Sequence, residues 1–120
     1  MSYGFLIFKP KIQINSQHDL SEETVELQHP DHVMRALSEL LPSLSWSRIY
    51  ADSFWEALTE DDHGRYEFHV GPEIKEAWSI NTSHRTTTRS LIPRICKALG
   101  VIAFDGQAMK IIDENGERPA

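Results

Sequence analysis

The stretch Ser90–Asp113 reads SLIPRICKALGVIAFDGQAMKIID and predicts a short amphipathic helix followed directly by a β-hairpin. Apolar residues recur at helical spacing through its first half, while the basic residues between them point away. Ser90 is suited to cap the helix, which places Pro93 in the first turn, where no intrahelical bond needs its missing N–H. Gly100 follows the last apolar position, as a helix-ending glycine does. The stretch therefore predicts a helix packed on a sheet.

The second half of the stretch predicts the hairpin. Val101–Phe104 is interpreted as a strand, Asp105-Gly106 as a two-residue turn, and Gln107–Ile112 as the return strand. In this register four apolar side chains share one face, which we expect to pack against the helix; they are Ile102, Phe104, Met109 and Ile111.

The remaining chain predicts another helix and several more strands. Tyr3–Phe8 is apolar on both faces, which is typical of a central strand, and Asp31 is suited to cap a helix over His32–Leu41. Lys11–Leu27 is polar and is interpreted mainly as a loop. Alternating apolar residues predict strands within 46–58, around 66–70 and over 77–82. Because short turns join most strands, we predict an α+β two-layer sandwich, with a largely antiparallel sheet and both helices on one face.

Length and composition indicate one folded domain. The chain has 120 residues, of which 40% are hydrophobic and 25% charged, as in ordinary soluble domains. We predict a single domain over residues 1–113 and a flexible C-terminal tail over 114–120. Leu37 and Ile95 lie at the centres of the two helical apolar stripes, and both should be buried in the core.

The single cysteine and the absence of long apolar runs favour a cytoplasmic location. Cys96 lies on the predicted buried face of its helix, so we interpret it as a core residue and expect no disulfide within the chain. The first residues lack the basic region and the long apolar run of a signal peptide, and no segment reaches the length of a membrane span. We therefore expect no membrane contact.

The net charge of −6 argues against nucleic acid as a partner, because nucleic-acid binding usually needs a basic surface. An acidic surface is compatible with a basic protein partner. The alternative is that the acidity only keeps the protein in solution.

The sequence lacks the motifs of the common enzyme classes, and we predict that the protein is not an enzyme. His29 and His32, with His18 upstream, have a spacing unsuited to two ligands on one helix face, so we predict no metal and no cofactor. An anion site is a weaker alternative at the helix that begins near Ser90, where His84, Arg85 and Arg89 precede the helix. The competing interpretation is a solvated loop whose arginines pair with acids.

The strand within 46–58 contains the best candidate for a binding surface. Phe54 and Trp55 are neighbours in a strand and must point to opposite faces, so one of them is a candidate for exposure. The alternatives are that both faces are covered, or that a bulge turns both side chains inward. A turn rich in acids follows the strand, and we predict that the two features form one partner-binding surface. Its predicted residues are Tyr50, Phe54, Trp55, Glu56, Glu60, Asp61 and Asp62.

Two segments carry a resemblance to a known group of proteins. RYEFHVGPEIKEAWSINTS, from Arg65 to Ser83, is followed by a helix and then by LGVIAFDGQAMKIID, from Leu99 to Asp113. This arrangement resembles a group of small uncharacterised bacterial proteins that accompany polymorphic-toxin or type VI secretion genes. The resemblance implies an immunity-like protein and no catalytic residues. It covers less than half of the chain, and Val101 stands where the group would have Trp.

Three functional hypotheses follow. The first is a small acidic protein that binds a basic protein partner, as an immunity protein would, through an aromatic and acidic surface. The second is a small enzyme with an unrecognised His/Asp site. The third is a homodimeric ligand-binding or structural domain. A deep pocket with convergent titratable groups would favour the enzyme, whereas a flat patch would favour the binder.

Overall fold

The computed structural model describes residues 3–48, 50–51, 53–61, 64–83 and 88–120. Two helices occur in these ranges, α1 (Pro30–Leu40) and α2 (Thr88–Leu99), together with one turn of 3-10 helix at Gln17–Asp19. The strands are β1 (Tyr3–Pro10), β2 (Val25–Glu26), β3 (Trp55–Asp61), β4 (Gly64–Val70), β5 (Ala77–Thr82), β6 (Ile102–Asp105), β7 (Lys110–Asp113) and β8 (Gly116–Pro119).

The described strands form one antiparallel sheet in the order β3-β4-β5-β1-β6-β7-β8, and the short β2 pairs with the end of β1. Strand β1 lies between β5 and β6, so the connection from β5 through α2 to β6 passes across the central strand. Both helices pack on the same side of the sheet. The predicted α+β class with a largely antiparallel sheet is therefore confirmed.

The main core lies between the helices and the sheet. Val33 and Leu37 of α1 and Ile95 of α2 join the inward side chains of β1, β4 and β5 in one buried cluster. On the strands this cluster takes every second residue, as a sheet with one covered face requires. Both predicted core positions, Leu37 and Ile95, belong to it.

On the other face of the sheet, the described residues form one smaller buried cluster. Ile14, from the polar segment between β1 and β2, packs on Ile102 and Ile111, with partly buried side chains from β1, β6 and that same segment around them. This smaller cluster lies over the β1-β6-β7 half. The segment interpreted as a loop thus serves as a cover, because its few apolar residues are buried on the sheet.

The hairpin after α2 differs from the prediction in its turn. Asp105 pairs with Lys110, so the loop has four residues, and Met109 lies in it with a φ of +54°. The Asp105 carboxylate is buried and accepts hydrogen bonds from the backbone N–H groups of Gln107 and Ala108, which fixes the longer turn. Ile102 and Ile111 share a face as predicted, but that face points away from the helices.

The two helices begin at other residues than the sequence indicated. α2 starts at Thr88, so Pro93 lies inside the helix and cannot donate to the carbonyl of Arg89. Burial of Leu91 and Ile92 in the main core stabilises this end of the helix despite the missing bond. α1 starts with Pro30 as its first residue, which needs no N–H there. Gly100 ends α2 with a φ of +67°, as predicted.

The C-terminal residues form a strand, where a flexible tail was predicted from Glu114 onward. β8 pairs with β7, and Gly116, with a φ of +116°, makes the tight turn between them. Arg118 donates hydrogen bonds to the Asp113 carboxylate and to the carbonyl of Ile14, and the backbone N–H of Ala120 donates to Met109. The polar composition of 114–120 concealed these pairings, because most of them use backbone groups.

No helix in the described ranges combines the length and the apolar character that crossing a membrane requires.

Candidate functional site

Phe54 and Trp55 point to opposite sides of the sheet. Trp55 packs against the main core, and the Arg48 guanidinium lies 4.3 Å from the centre of its ring, a cation–π contact. Phe54 is 61% exposed. The expectation that one of the two aromatic side chains lies outside the core is therefore confirmed, and the exposed one is Phe54.

Phe54 rests on the turn between β4 and β5. A Cβ atom added to Gly71 would lie 3.5 Å from its ring, so the ring lies directly against the glycine backbone. The same ring borders a cavity of about 360 Å³ that is also lined by Leu6, Val70 and Trp78. This contact positions an exposed aromatic ring at the rim of an apolar cavity.

The side chains that follow Phe54 along β3 alternate in the same way. Ala57 is buried in the main core and lies opposite Phe68 of β4, so Glu56, Leu58 and Glu60 point to the other side of the sheet. We define the open face as this side of β3, β4 and β5, on which the described residues form no buried apolar cluster. It carries Phe54, Glu56, Leu58, Glu60, Arg65, Glu67, His69, Ser79 and Asn81.

Leu58 is 48% exposed on this face, and Leu6 of the neighbouring central strand is 46% exposed. Leu6, Leu58 and Phe54 thus lie among three carboxylates. These belong to Glu56, Glu60 and Glu67. Sequence reasoning found Phe54, Glu56 and Glu60 but missed Leu58, Glu67 and His69. The signal that could have found Glu67 and His69 is the alternation along β4. Arg65, Glu67 and His69 alternate with buried residues on this strand, so they point to the other side of the sheet.

His69 lies between two carboxylates. Its Nδ1 is 3.5 Å from Oε1 of Glu56 across the strand pair, and its Nε2 is 3.5 Å from Oε2 of Glu67 on the same strand. Nε2 is buried and makes no hydrogen bond with the described residues. Because the two carboxylates contact different ring nitrogens, the three side chains do not converge on one point as metal ligands would. Within the described part of the chain, no group of three such residues is placed to hold a metal ion.

A polar cavity of about 460 Å³ lies beside His69 at the edge of the open face. Three serines from the connection between α1 and β3 line it on one side, and Leu58, Arg65 and Glu67 line it on the other. Among the described residues, no hydrogen bond joins a serine of this group to His69, although the side chains share the cavity. The serines are Ser43, Ser45 and Ser47.

The other residues predicted for partner binding occupy different places. Glu60 and Asp61 belong to β3, where a charged turn was predicted, because both residues still pair with β4, Glu60 with Arg65 and Asp61 with Gly64. Tyr50 is 70% exposed in the loop before β3. Its backbone N–H donates a hydrogen bond to the Ser53 hydroxyl, and that hydroxyl donates to the Tyr50 carbonyl. Asp62 lies outside the described residues. Of the strands predicted within 46–58, only an isolated bridge between Ser47 and Glu56 precedes Trp55.

The remaining candidate groups are not brought together into a site. His84 and Arg85 lie outside the described residues, and only the backbone of Arg89 is described, in the first turn of α2. The anion site therefore stays a prediction. His29 and His32 are exposed and lie with ring centres 5.1 Å apart at the start of α1.

Cys96 lies in the main core, where burial raises the pKa of its thiol to about 12, with a smaller contribution from the nearby Asp113 carboxylate. The unfolded chain releases this proton near the ordinary pKa of 9.0, so the contribution of the group to stability falls as the pH rises from 9 toward 12. Because the thiolate is the nucleophile, burial and the raised pKa both disfavour reaction at Cys96.

We expect Cys96 to resist thiol reagents in the folded protein. Labelling with DTNB should be at least a hundredfold slower in buffer than in denaturing urea, and raising the pH from 8 to 9.5 should accelerate it far less in the folded than in the unfolded chain. Absorbance at the thionitrobenzoate band measures the rate. Fast labelling of the folded protein would show that the thiol is accessible.

The open face therefore combines exposed apolar side chains, carboxylates and a histidine between two of them, next to an apolar and a polar cavity. It extends over the same side of three neighbouring strands, β3, β4 and β5. Comparison with protein-family models, with curated proteins and with solved structures finds no match to this chain.

Proposed function

We propose that the chain is a protein-binding module whose open face covers a basic region of a partner protein. The observation that carries the proposal is the placement of Phe54 and Leu58, both about half exposed or more, among the carboxylates of Glu56, Glu60 and Glu67. An aromatic ring already held against a turn loses little conformational freedom when a partner buries it. Such rings are frequent anchors of protein interfaces.

The charge of the face specifies the kind of partner. Three carboxylates lie on it with one guanidinium, from Arg65, and the whole chain carries a net charge of −6. Carboxylates around an apolar centre attract a basic surface during the encounter and disfavour an acidic one. A protein of this kind can inhibit a basic enzyme by covering it, which is the action of an immunity protein and agrees with the resemblance described above.

A second candidate function rests on His69. An imidazole held between two glutamates beside a cavity lined by serines is an arrangement that suits proton transfer. An enzyme using it would lose its activity in a His69→Gln variant that keeps the shape of the face. A binding module would keep most of its affinity in the same variant.

Phe54→Ala is expected to speed dissociation from the partner about 30-fold, equivalent to about 2 kcal/mol, if the ring is an anchor. The experiment immobilises the protein, captures its partner from the source cells, and measures dissociation for three proteins: wild type, Phe54→Ala and Leu27→Ala. Leu27 is similarly exposed but lies between β2 and α1. A captured protein that dissociates at one rate from all three would contradict the proposal.

The same assay tests the charge. Replacing Glu56, Glu60 and Glu67 with Gln should slow association about tenfold at low salt and flatten its salt dependence, because salt screens such charges over a Debye length of ~8 Å at physiological strength. The control replaces three exposed acids outside the face, Glu22, Glu23 and Glu39, and keeps the same change in net charge. Equal slowing in both triple variants would show that only net charge matters and that the open face is not the contact surface.

A further inference from the structure

The outer edge of β3 exposes backbone groups that can pair with another strand. The backbone N–H of Glu56 donates to the carbonyl of Ser47, and the N–H of Ser47 donates back to Glu56, at 2.8 and 2.9 Å. The polar groups of Glu56 therefore point away from β4. Because peptide groups alternate along a strand, those of Leu58 and Glu60 point outward too, while those of Ala57 and Thr59 face β4.

The pairing with Ser47 does not continue along this edge. The bridge between Ser47 and Glu56 is isolated, and no backbone group in the described ranges bonds to the outward N–H and C=O groups of Leu58 and Glu60. Two cavities, of about 460 and 370 Å³, lie beside Leu58 between the connection that leads to Ser47 and the β3–β4 pair. Both are lined by Ser43, from that connection, and by Leu58 and Arg65.

The opposite edge of the sheet is less suited to pairing. β8 has four residues and includes Pro119, which has no N–H to donate. The backbone of the adjoining Ala120 is already bonded to Met109 and Gln17. Of the two outer strands described, β3 is therefore the one that can accept a further strand.

The side chains along β3 indicate what that strand contains. Glu56 and Glu60 flank Leu58 on the open face, and Glu67 lies across from Leu58 on β4. Residues of an added strand that point to the same face would lie beside these carboxylates, where lysine or arginine is stabilised by opposite charge. In a second copy of this chain paired edge to edge, glutamates would lie near glutamates, and such like-charged neighbours are destabilising.

We infer that the partner supplies an extended, basic segment that adds to the sheet as a strand at Leu58–Glu60. This deepens the proposed function and rests on it: the backbone of the segment pairs with β3, its alternate basic side chains contact the open face, and the neighbouring surface of the partner covers Phe54. Strand addition uses the backbone for affinity and alternate side chains for specificity.

Leu58→Pro removes one outward N–H and leaves the pairing of Ala57 and Thr59 with β4 in place, since an edge strand tolerates proline on its free side. Leu58→Ala removes the same side chain and keeps the N–H. The probe is a labelled, end-capped peptide of alternating lysine and threonine, followed by fluorescence anisotropy at low salt. We expect Leu58→Pro to bind it at least tenfold more weakly than Leu58→Ala.

A second peptide keeps the test valid if the proline variant fails to fold, as far-UV circular dichroism would reveal. The same sequence with N-methyl groups on alternate residues retains every charge and loses its pairing edge, and we expect it to bind wild-type protein at least tenfold more weakly. Equal binding of both peptides, or no binding of the unmodified one, would overturn strand addition. A dimer of this chain that forms at micromolar concentration and disappears in Leu58→Pro would overturn the basic occupant in favour of a second copy. The Phe54→Ala result is independent of these outcomes, so the proposed function can stand where strand addition fails.

Discussion

Replacing Leu37 or Ile95 with alanine is expected to lower the free energy of unfolding by about 2–5 kcal/mol. The two side chains are 0% and 1% exposed, and they join α1 and α2 to the same side of the sheet. Each substitution removes buried methyl groups and leaves a cavity that the rigid sheet closes only partly. Because a domain of this size is stable by about 5–15 kcal/mol, either change removes a large part of the total. Urea melts followed by circular dichroism measure the loss.

Matched controls are available for both substitutions. Leu27 and Ile74 are the same residue types and are 60% and 44% exposed. Leu27→Ala and Ile74→Ala should each change the free energy of unfolding by no more than about 0.5 kcal/mol. A core variant that loses no more than its control would show that its helix does not pack as described.

The second large effect is expected at Asp105, where alanine should cost about 3 kcal/mol. The carboxylate is fully buried and accepts hydrogen bonds from the Tyr3 hydroxyl, at 2.6 and 2.8 Å, and from two backbone N–H groups of the following turn. Removing it takes this acceptor from the partly buried Tyr3 hydroxyl and from the two amides. It thereby loosens both the β6–β7 turn and the contact between that turn and β1.

A double-mutant cycle separates the two contributions. Tyr3→Phe removes only the hydroxyl and should cost about 1 kcal/mol, while Asp105→Asn keeps one acceptor oxygen and should fall between wild type and Asp105→Ala. The double variant Tyr3→Phe with Asp105→Ala should lose less than the sum of the single losses. Strict additivity would mean that the hydrogen bond between the two side chains does not stabilise the fold.

Local sequence patterns were sufficient for the class of the fold. Apolar spacing identified both helices and their buried residues. The glycine after the last apolar position identified the end of α2, because glycine readily adopts the positive φ, here +67°, that ends many helices. Alternation also predicted that Phe54 and Trp55 point to opposite faces, but it could not say which of the two is exposed or exclude a bulge. These features depend on residues that are near one another along the chain.

The hairpin register and the C-terminal strand could not be predicted in this way. Asp105 was interpreted as the first residue of a two-residue turn, but its buried side chain bonds to Tyr3, which is 102 positions earlier in the chain. β8 is polar and short, and backbone pairing with β7 holds it in place. Arg118 also bonds to the carbonyl of Ile14, which is distant in sequence, and Ala120 bonds to Met109 in the β6–β7 turn. A polar segment gives no apolar pattern to recognise when its partners are backbone groups.

The sequence by itself determined which residues of β3 and β4 share a face of the sheet, because period-two alternation divides each strand into two sets of side chains. Only the tertiary structure decided what lies over each set. The helices cover one side of the sheet, and among the described residues Ile14 packs on the other side at β6 and β7, so Leu58 and His69 lie outside both buried clusters. How much of the outer edge of β3 is paired likewise depends on the connection before Ser47, which bridges to β3 at Glu56. Burial is a property of distant segments meeting, and the free energy that decides it is that of the whole packed chain.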